Sequence, residues 1–421
     1  MIYLLIGYMW LFIHRPFEIW PMLGTIRLER IYMIVTIIAW AMSGRIRWRL
    51  TSLGLAYLVF TASILFSFLL SPWSSVTSSQ TVVENYLKIL VFFVILVTSI
   101  RDERELKLLI LGFLGVMTLY MGHSFREYLN GRHVYRMGVA RMVGVDSSLG
   151  DPNSFSASVM YALPLAAVIP TVLIGRKGQL LWLVYVGLSV LCVLLTGSRS
   201  AFVGLLLWVA NLGLKLKQKF RWMILATVLF PAIWSVLPPD LQNRFTTIID
   251  PSVGPANAQS SAESREEGFR LGLELLGKYP LTGCGPGAWI PATGSAVESH
   301  NLYGQVMGEL GILGVLNFGT IVVLLMSNVL AIRSASKSRA STASDFLHAL
   351  AVAIGQAVLL LLLLGWGGHN LYRFNWLWYG AFLIVARDIV NRRVVAEGSP
   401  WNRSLAPSSG LRPVIASRTS W

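Results

Sequence analysis

Runs of apolar residues long enough to cross a bilayer recur along the whole chain, and no other feature limits its fold as strongly. Segments 1–13, 31–44, 51–71, 81–100, 107–125, 153–174, 180–197, 200–214, 222–238, 302–332, 346–366 and 374–387 each read as an apolar helix. Crossing the hydrocarbon core takes about 20 such residues, and only internally hydrogen-bonded backbone is tolerated there. Charged residues make up 13% of the 421, against about 25% in soluble domains. A water-soluble globular domain, a disordered chain and a disulfide scaffold are thereby excluded. The expected fold is an all-α polytopic membrane protein with about twelve transmembrane helices. The first segment lacks a basic n-region and an A-x-A site, so it reads as a retained helix. Cys192 lies in an apolar run and Cys284 in a polar loop, so no mutual bridge is expected.

A net charge of +15 would suit a nucleic-acid partner if the charge were spread over one face. Instead it is gathered into alternate connections. These are Arg45-Ile46-Arg47-Trp48-Arg49, Arg101 to Lys107, Arg176-Lys177, Lys215 to Arg221, Arg333 to Arg339, and the stretch from Arg387 onward. Short basic loops mark the cytoplasmic side, so both termini are expected there, with a lipid bilayer and no nucleic acid as partner. The organisation expected is a transmembrane region over 1–238 and a large external loop with helical segments over 239–299. A second transmembrane region over 300–387 and a disordered cytoplasmic tail over 388–421 complete it.

The opposite loops break the pattern. The 126–152 connection holds Arg126, Arg132, Arg136 and Arg141, and the 367–375 turn holds His369 and Arg373. External arginines run against the orientation rule, and an anionic ligand is the simplest reason for them. The sixty-residue stretch 239–299 is too long to be structureless. A helix is expected to begin at Ser260-Ser261-Ala262-Glu263, run through Arg265 to Leu276 and end at Lys278-Tyr279-Pro280. Arg265 and Arg270 are five apart, so only one of them is expected to point toward a common site, and Glu266 or Glu267 can pair with either. Gly283-Cys284-Gly285-Pro286-Gly287 is either a tight return turn or a backbone cradle for phosphate.

Ser299 reads as a helix N-cap that puts His300 in the first turn, where the dipole disfavours imidazolium and leaves a neutral base. His300, Tyr303, Met307, Gly311 and Gly314 share one stripe, whose glycines admit another helix closely. Glu309 lies off the stripe, at a depth where carboxylates are costly. Arg199, in Thr196-Gly197-Ser198-Arg199-Ser200, has little room to reach solvent between two apolar runs. Asp151-Pro152-Asn153 reads as a helix start, with Asp as N-cap and Pro at the first position, and a functional role is the lesser alternative.

These motifs together resemble those of bacterial O-antigen ligases and related O-antigen polymerases. His300-Asn301, nine residues, Gly311, two residues and Gly314 resembles the H-N-x9-G-x-x-G signature of that family. Thr196 to Ala201 is similar to its T-G-S-R-x-A turn. Arg265 followed by Pro280-Leu281-Thr282-Gly283-Cys284-Gly285 is similar to its loop arginine and P-x-x-G-x-G turn. The resemblance covers residues 150–330 by motif and the rest by span count.

It implies a glycosyltransferase in the bacterial inner membrane, active on the periplasmic side. Its donor would be a glycan on undecaprenyl diphosphate, and its acceptor a saccharide hydroxyl on lipid A core or on a second lipid-linked glycan. His300 would be the catalytic base. Arg199 and Arg265 would hold the diphosphate, and Arg270, Asn301, Tyr303, Arg244 and His369 would be further substrate contacts, with Arg141 and Arg373 beside them. No cofactor and no metal are expected: there is no D-x-D, His/Cys cluster or P-loop.

Two departures stand out. Phe269 occupies a position where relatives often place Trp, and His369-Asn370-Leu371-Tyr372 echoes His300-Asn301-Leu302-Tyr303. Two other functions fit the composition: a flippase or transporter of lipid-linked oligosaccharide, and a non-catalytic membrane subunit. Transporters place polar residues at the bilayer midplane, often with repeat symmetry, whereas here charge collects at one face.

Overall fold

A computed structural model describes residues 1–44, 46–136, 139–146, 150–215, 231, 234–235, 237–250, 257–337 and 344–398. The longer helices, in chain order, are α1 (Ile2–His14), α2 (Leu28–Met42), α3 (Ser52–Leu70), α4 (Thr77–Ser99) and α5 (Glu103–Leu129). Next come α6 (Pro152–Val172), α7 (Arg176–Leu195), α8 (Arg199–Lys215), α9 (Pro239–Thr246) and α10 (Asn257–Lys278). The last three are α11 (Leu302–Lys337), α12 (Asp345–Gly365) and α13 (Phe374–Gly398). Helix α6 tightens to a 3-10 stretch at Leu163–Val168, where Pro164 removes a backbone donor.

Among the described residues, seven helices are long and apolar enough to cross a membrane: α3 to α7, α11 and α12. The chain is a largely helical multi-pass membrane protein. The remaining expected spans fare differently. Helices α1, α2 and α8 are apolar but hold 13, 15 and 17 residues. The 222–238 span falls mostly outside the described residues. Helix α13 does not end at 387 as expected. It continues to Gly398 because Asp388, Arg392 and Arg393 find ionic partners there. The 126–152 connection adds an antiparallel hairpin to the expected all-helical fold, β1 (His133–Arg136) with β2 (Val139–Met142), Val134 opposite Arg141.

Polar residues at the apolar boundaries start the helices. The side chains of Thr51, Asp102, Asp151 and Ser344 each accept a bond from a first-turn amide, satisfying donors that would otherwise be orphaned. Between these boundaries the helices pack through aromatics. Trp378 on α13 sits 5.6 Å from Phe12, 5.0 Å from Phe92 and 6.3 Å from Phe113, ring centre to ring centre, which ties α1, α4 and α5 together.

The connections sort to two ends of this bundle. At one end Arg49 bonds the carbonyls of Val97 and Ile100 and pairs with Asp388 at 2.9 Å. Asp388 also meets Arg47 and Arg392, while Glu103 meets Lys107 and Arg393. At the other end the 283–287 turn docks on the α3–α4 connection. Ser71 Oγ donates to the Cys284 carbonyl and Ser78 Oγ to that of Gly287.

Helix α10 crosses α11 through glycine. A Cβ on Gly304 would stand 2.1 Å from the Gly268 carbonyl oxygen, and one on Gly272 would stand 2.4 Å from the Gly304 Cα. The backbones touch, which the absence of side chains at these three glycines permits. Of the glycines named for this role from sequence, Gly314 faces only its own helix and Gly311 does something else. Gly311 adopts a left-handed φ of 61° inside α11, and the 280–283 turn seats against that break. The amides of Ile312 and Leu313 then bond the carbonyls of Pro280 and Leu281. A side chain at Gly311 would be strained in conformation and would strike the turn's backbone.

Candidate active site

At the end of the bundle away from Asp388, four segments surround a cavity of about 130 Å³. They are the start of α6, the start of α8, the residue before the α11 cap, and the turn joining α12 to α13. Asp151, Asn153, Ser200, His300, His369 and Arg373 are among the residues lining it. The His300 and His369 rings lie 5.7 Å apart, tilted by 40°. The echo between the two H-N-L-Y segments is therefore spatial as well as sequential.

His300 precedes the helix rather than standing in its first turn. The cap is Asn301, not Ser299: Asn301 Oδ1 accepts from the amides of Tyr303 at 2.9 Å and Gly304 at 3.1 Å. Its Nδ2 donates to the Arg265 carbonyl at 3.2 Å. Both ends of this buried amide are thus occupied in fastening α10 to α11, with His300 and Arg265 on either side of the join. Asn301 positions rather than touches. Tyr303 also turns away, its hydroxyl donating to the Leu362 carbonyl at 3.0 Å.

The arginines divide. Arg270 is exposed and pairs with Glu274 at 2.8 Å and Glu267 at 3.9 Å, so it faces away from the site. Arg265, five residues earlier, points inward. Its guanidinium lies where a side chain on Gly367 would be, about 2.9 Å from that missing Cβ, and Gly367 lines the cavity. Among the described residues Arg265 forms no ion pair and its guanidinium no hydrogen bond. Burial first, and then the charge of Arg199, pull its pKa down. Two cations thus stand close enough to repel, and an anion between them would relieve both.

Arg199 heads α8 beside the lining residues Ser200 and Ala201, and its Nη1 donates to Thr247 Oγ1 at 3.2 Å. Burial lowers its pKa too. Arg373 lines the cavity directly, donating to Ser158 Oγ at 2.7 Å with its guanidinium 5.7 Å from the centre of the Tyr161 ring. It forms no ion pair among the described residues.

Other candidates prove to be supports. Arg244 donates from Nε to the Gly197 carbonyl at 2.7 Å and so fixes the turn before Arg199. Gly197 takes a φ of 59° there, a conformation glycine adopts without cost. Arg141 is buried, with Nε on the Thr196 carbonyl at 2.7 Å and Nη2 on Asn153 Oδ1 at 2.8 Å. The Gly283–Gly287 turn is a return turn and not a phosphate cradle. Its amides at Cys284 and Gly285 bond the carbonyls of Gly308 and Glu309, and that of Gly287 bonds Glu309 Oε2 at 2.9 Å. Glu309 also accepts from Tyr372 at 2.7 Å, so this buried carboxylate joins the turn to the segment carrying His369. Cys192 and Cys284 are both free.

His369 stands in the cavity wall with its outer edge open. The cleft's desolvation, then the fields of His300 and Arg373, push its pKa down to about 4. It is a neutral imidazole at pH 7. Among the described residues no group of three His, Cys, Asp or Glu side chains comes together as a metal site would require.

Three features escaped the sequence. Gly367 makes room for Arg265, and the Gly367-Gly368 doublet before His369 was the available signal. Asp151 and Asn153 line the cavity, where the sequence set a functional role behind their capping role. Arg373 lies directly on the cavity, where the sequence ranked it behind Arg244 and Arg270.

The fold and this site define a multi-pass membrane protein with a polar, cation-rimmed cavity at one end of its bundle. A family model described as O-antigen ligase matches residues 184–319. That stretch runs from α7 into α11 and contains Arg199, Arg244, Arg265 and His300. Over that stretch the chain is similar to O-antigen ligases, a family that implies ligase- or glycosyltransferase-type activity in polysaccharide biosynthesis. No curated protein matches the chain.

Proposed function

We propose that the chain transfers a glycan from undecaprenyl diphosphate to a saccharide hydroxyl, without a metal, as an O-antigen ligase or a polysaccharide polymerase. The observation that carries this reading is the Arg265 guanidinium. It is half-buried, without an ion pair among the described residues, and beside a cavity holding two imidazoles. A diphosphate is the anion that an unneutralised Arg265 with Arg199 in its field would hold.

In the reaction the bond between the sugar's anomeric carbon and the phosphate oxygen breaks. The acceptor oxygen forms the new bond to that carbon, and its proton passes to the His300 ring. The electron pair leaves with undecaprenyl diphosphate, whose charge the arginines stabilise. Diphosphate is a competent leaving group, so no strong acid is needed. Asn301 and Arg244 hold the base and the clamp in register through backbone contacts. The neutralised basic end, around Asp388, supports a cytoplasmic placement of that end and of both termini. The cavity would then face the periplasm from the inner membrane.

The test is His300→Ala in a host lacking its own copy. Normal membrane insertion, loss of the polymeric or ligated product, and accumulation of lipid-linked glycan on the outer leaflet are expected. Product at the wild-type level would remove His300 as the base. Accumulation on the cytoplasmic leaflet would point to transport instead.

A further inference from the structure

The cavity has two chemically different sides. On the Gly367 side lies the unneutralised Arg265, with Arg199 in its field. The other side is built from the start of α6. There Asp151 spends one carboxylate oxygen, Oδ1, on capping the amides of Asn153 at 3.0 Å and Ser154 at 3.2 Å. Among the described residues its second oxygen, Oδ2, has no partner. Asn153 is arranged the same way. Its Oδ1 accepts from Arg141, and the two hydrogens of its Nδ2 are unused among the described residues. Both side chains line the cavity that His300 and His369 share.

An idle carboxylate oxygen next to an idle amide donor has a specific chemistry. The carboxylate accepts from one hydroxyl, and the amide donates to a neighbouring one. A sugar's vicinal diol supplies that pair. A diphosphate does not, because Asp151 would repel it. Arg141 fixes the geometry: buried, it holds Asn153 by one nitrogen and the Thr196 carbonyl by another. The α6 wall is thereby locked to the turn that carries Arg199.

We propose that the Asp151–Asn153 wall is a saccharide subsite that binds the acceptor through neighbouring hydroxyls and presents it to the imidazoles. The diphosphate of the donor occupies the Arg265 side. This rests on the transfer reading above and adds a polarity to it, sugar on the α6 wall and phosphate on the Gly367 wall.

The test uses the full chain purified in detergent and two separate probes. One is a panel of methyl glycosides of hexoses and deoxyhexoses followed by saturation-transfer NMR. The other is inorganic diphosphate followed by calorimetry. Asp151→Asn is the informative variant because asparagine caps a helix as well as aspartate does, so α6 is preserved. Losing one charge-assisted bond should weaken glycoside binding about tenfold, while diphosphate binds as well as before or better. Asn153→Ala should weaken the glycoside in the same direction. Arg265→Ala should do the reverse, losing diphosphate and keeping the glycoside.

Unchanged glycoside binding in Asp151→Asn would reduce Asp151 to a helix cap and overturn the subsite. So would a loss of diphosphate in that variant, or a wild-type protein that binds no glycoside in the panel. If the wild type binds glycosides at this wall but consumes no lipid-linked donor, the transfer reading fails and the subsite stands.

Discussion

At one end of the bundle Asp388 gathers Arg47, Arg49 and Arg392, and Glu103 gathers Lys107 and Arg393. At the other, Arg373 lines a cavity and Arg265 packs against its lining residue Gly367, and neither forms an ion pair among the described residues. The same residue type serves two purposes. Where arginine has a carboxylate it holds helices together, and the charge is spent within the protein. Where it has hydroxyls, carbonyls or nothing, its charge is available to a ligand. Bringing an unpaired cation into a partly desolvated site costs free energy, and proteins keep such groups where function needs them. The contrast shows why a count of arginines per loop does not find the site.

Changes made at one end at a time should separate these purposes. The largest effect belongs to Arg265→Ala, which should cut transfer about 10²–10³-fold, the usual result of removing one electrostatic donor at a reacting centre. Its thermal midpoint should stay near wild type. Initial rates and melting of the detergent-purified protein check both, and a large drop in stability would make Arg265 structural.

Asp388→Ala should show the opposite signature. It strands Arg49, whose side chain is 3% exposed, at a cost of about 3 kcal/mol. The folded fraction should transfer glycan at the normal rate. Denaturant titration alongside activity per folded molecule would show it, and a fall in specific activity would couple the two ends.

The smallest effect is a pH dependence. The folded-state pKa of His369 lies near 4, below its ordinary 6.5. Above 6.5 the ring is neutral in folded and unfolded chains alike. As pH falls from about 6.5 toward about 4 the unfolded chain takes up the proton first, so stability is lost over that window. The loss should be modest because the outer edge of the ring meets solvent. His369→Gln should flatten that part of a melting-temperature profile, and an unaltered slope would assign it to another group.

Much of this was legible beforehand, and the reasons differ by residue. Apolar runs announce helices because the bilayer leaves the backbone no alternative. The start of α11 was placed within three residues, yet its cap was assigned to Ser299. Both Ser299 and Asn301 are good caps, and only the three-dimensional join to the Arg265 carbonyl selects Asn301. That Arg265 and Arg270 do not face one site followed from helical periodicity, but which of them turns inward did not. Gly311 was misjudged because glycine on a helix stripe usually signals close packing, while here a left-handed break receives the 280–283 turn. Gly304 and Gly268, which do pack closely, were hidden because contact between α10 and α11 is a property of the fold. Asp151 and Asn153 were weighed for function and set behind their capping role, since a sufficient local explanation leaves little to follow.

The claim that everything else leans on is that Arg265 grips a prenyl-linked diphosphate. Undecaprenyl diphosphate can be titrated into the purified protein and the complex followed by native mass spectrometry, with wild type, Arg265→Ala and Asp388→Ala in parallel. The account predicts at least about tenfold weaker binding in Arg265→Ala and wild-type binding by folded Asp388→Ala. Equal binding by wild type and Arg265→Ala would contradict it.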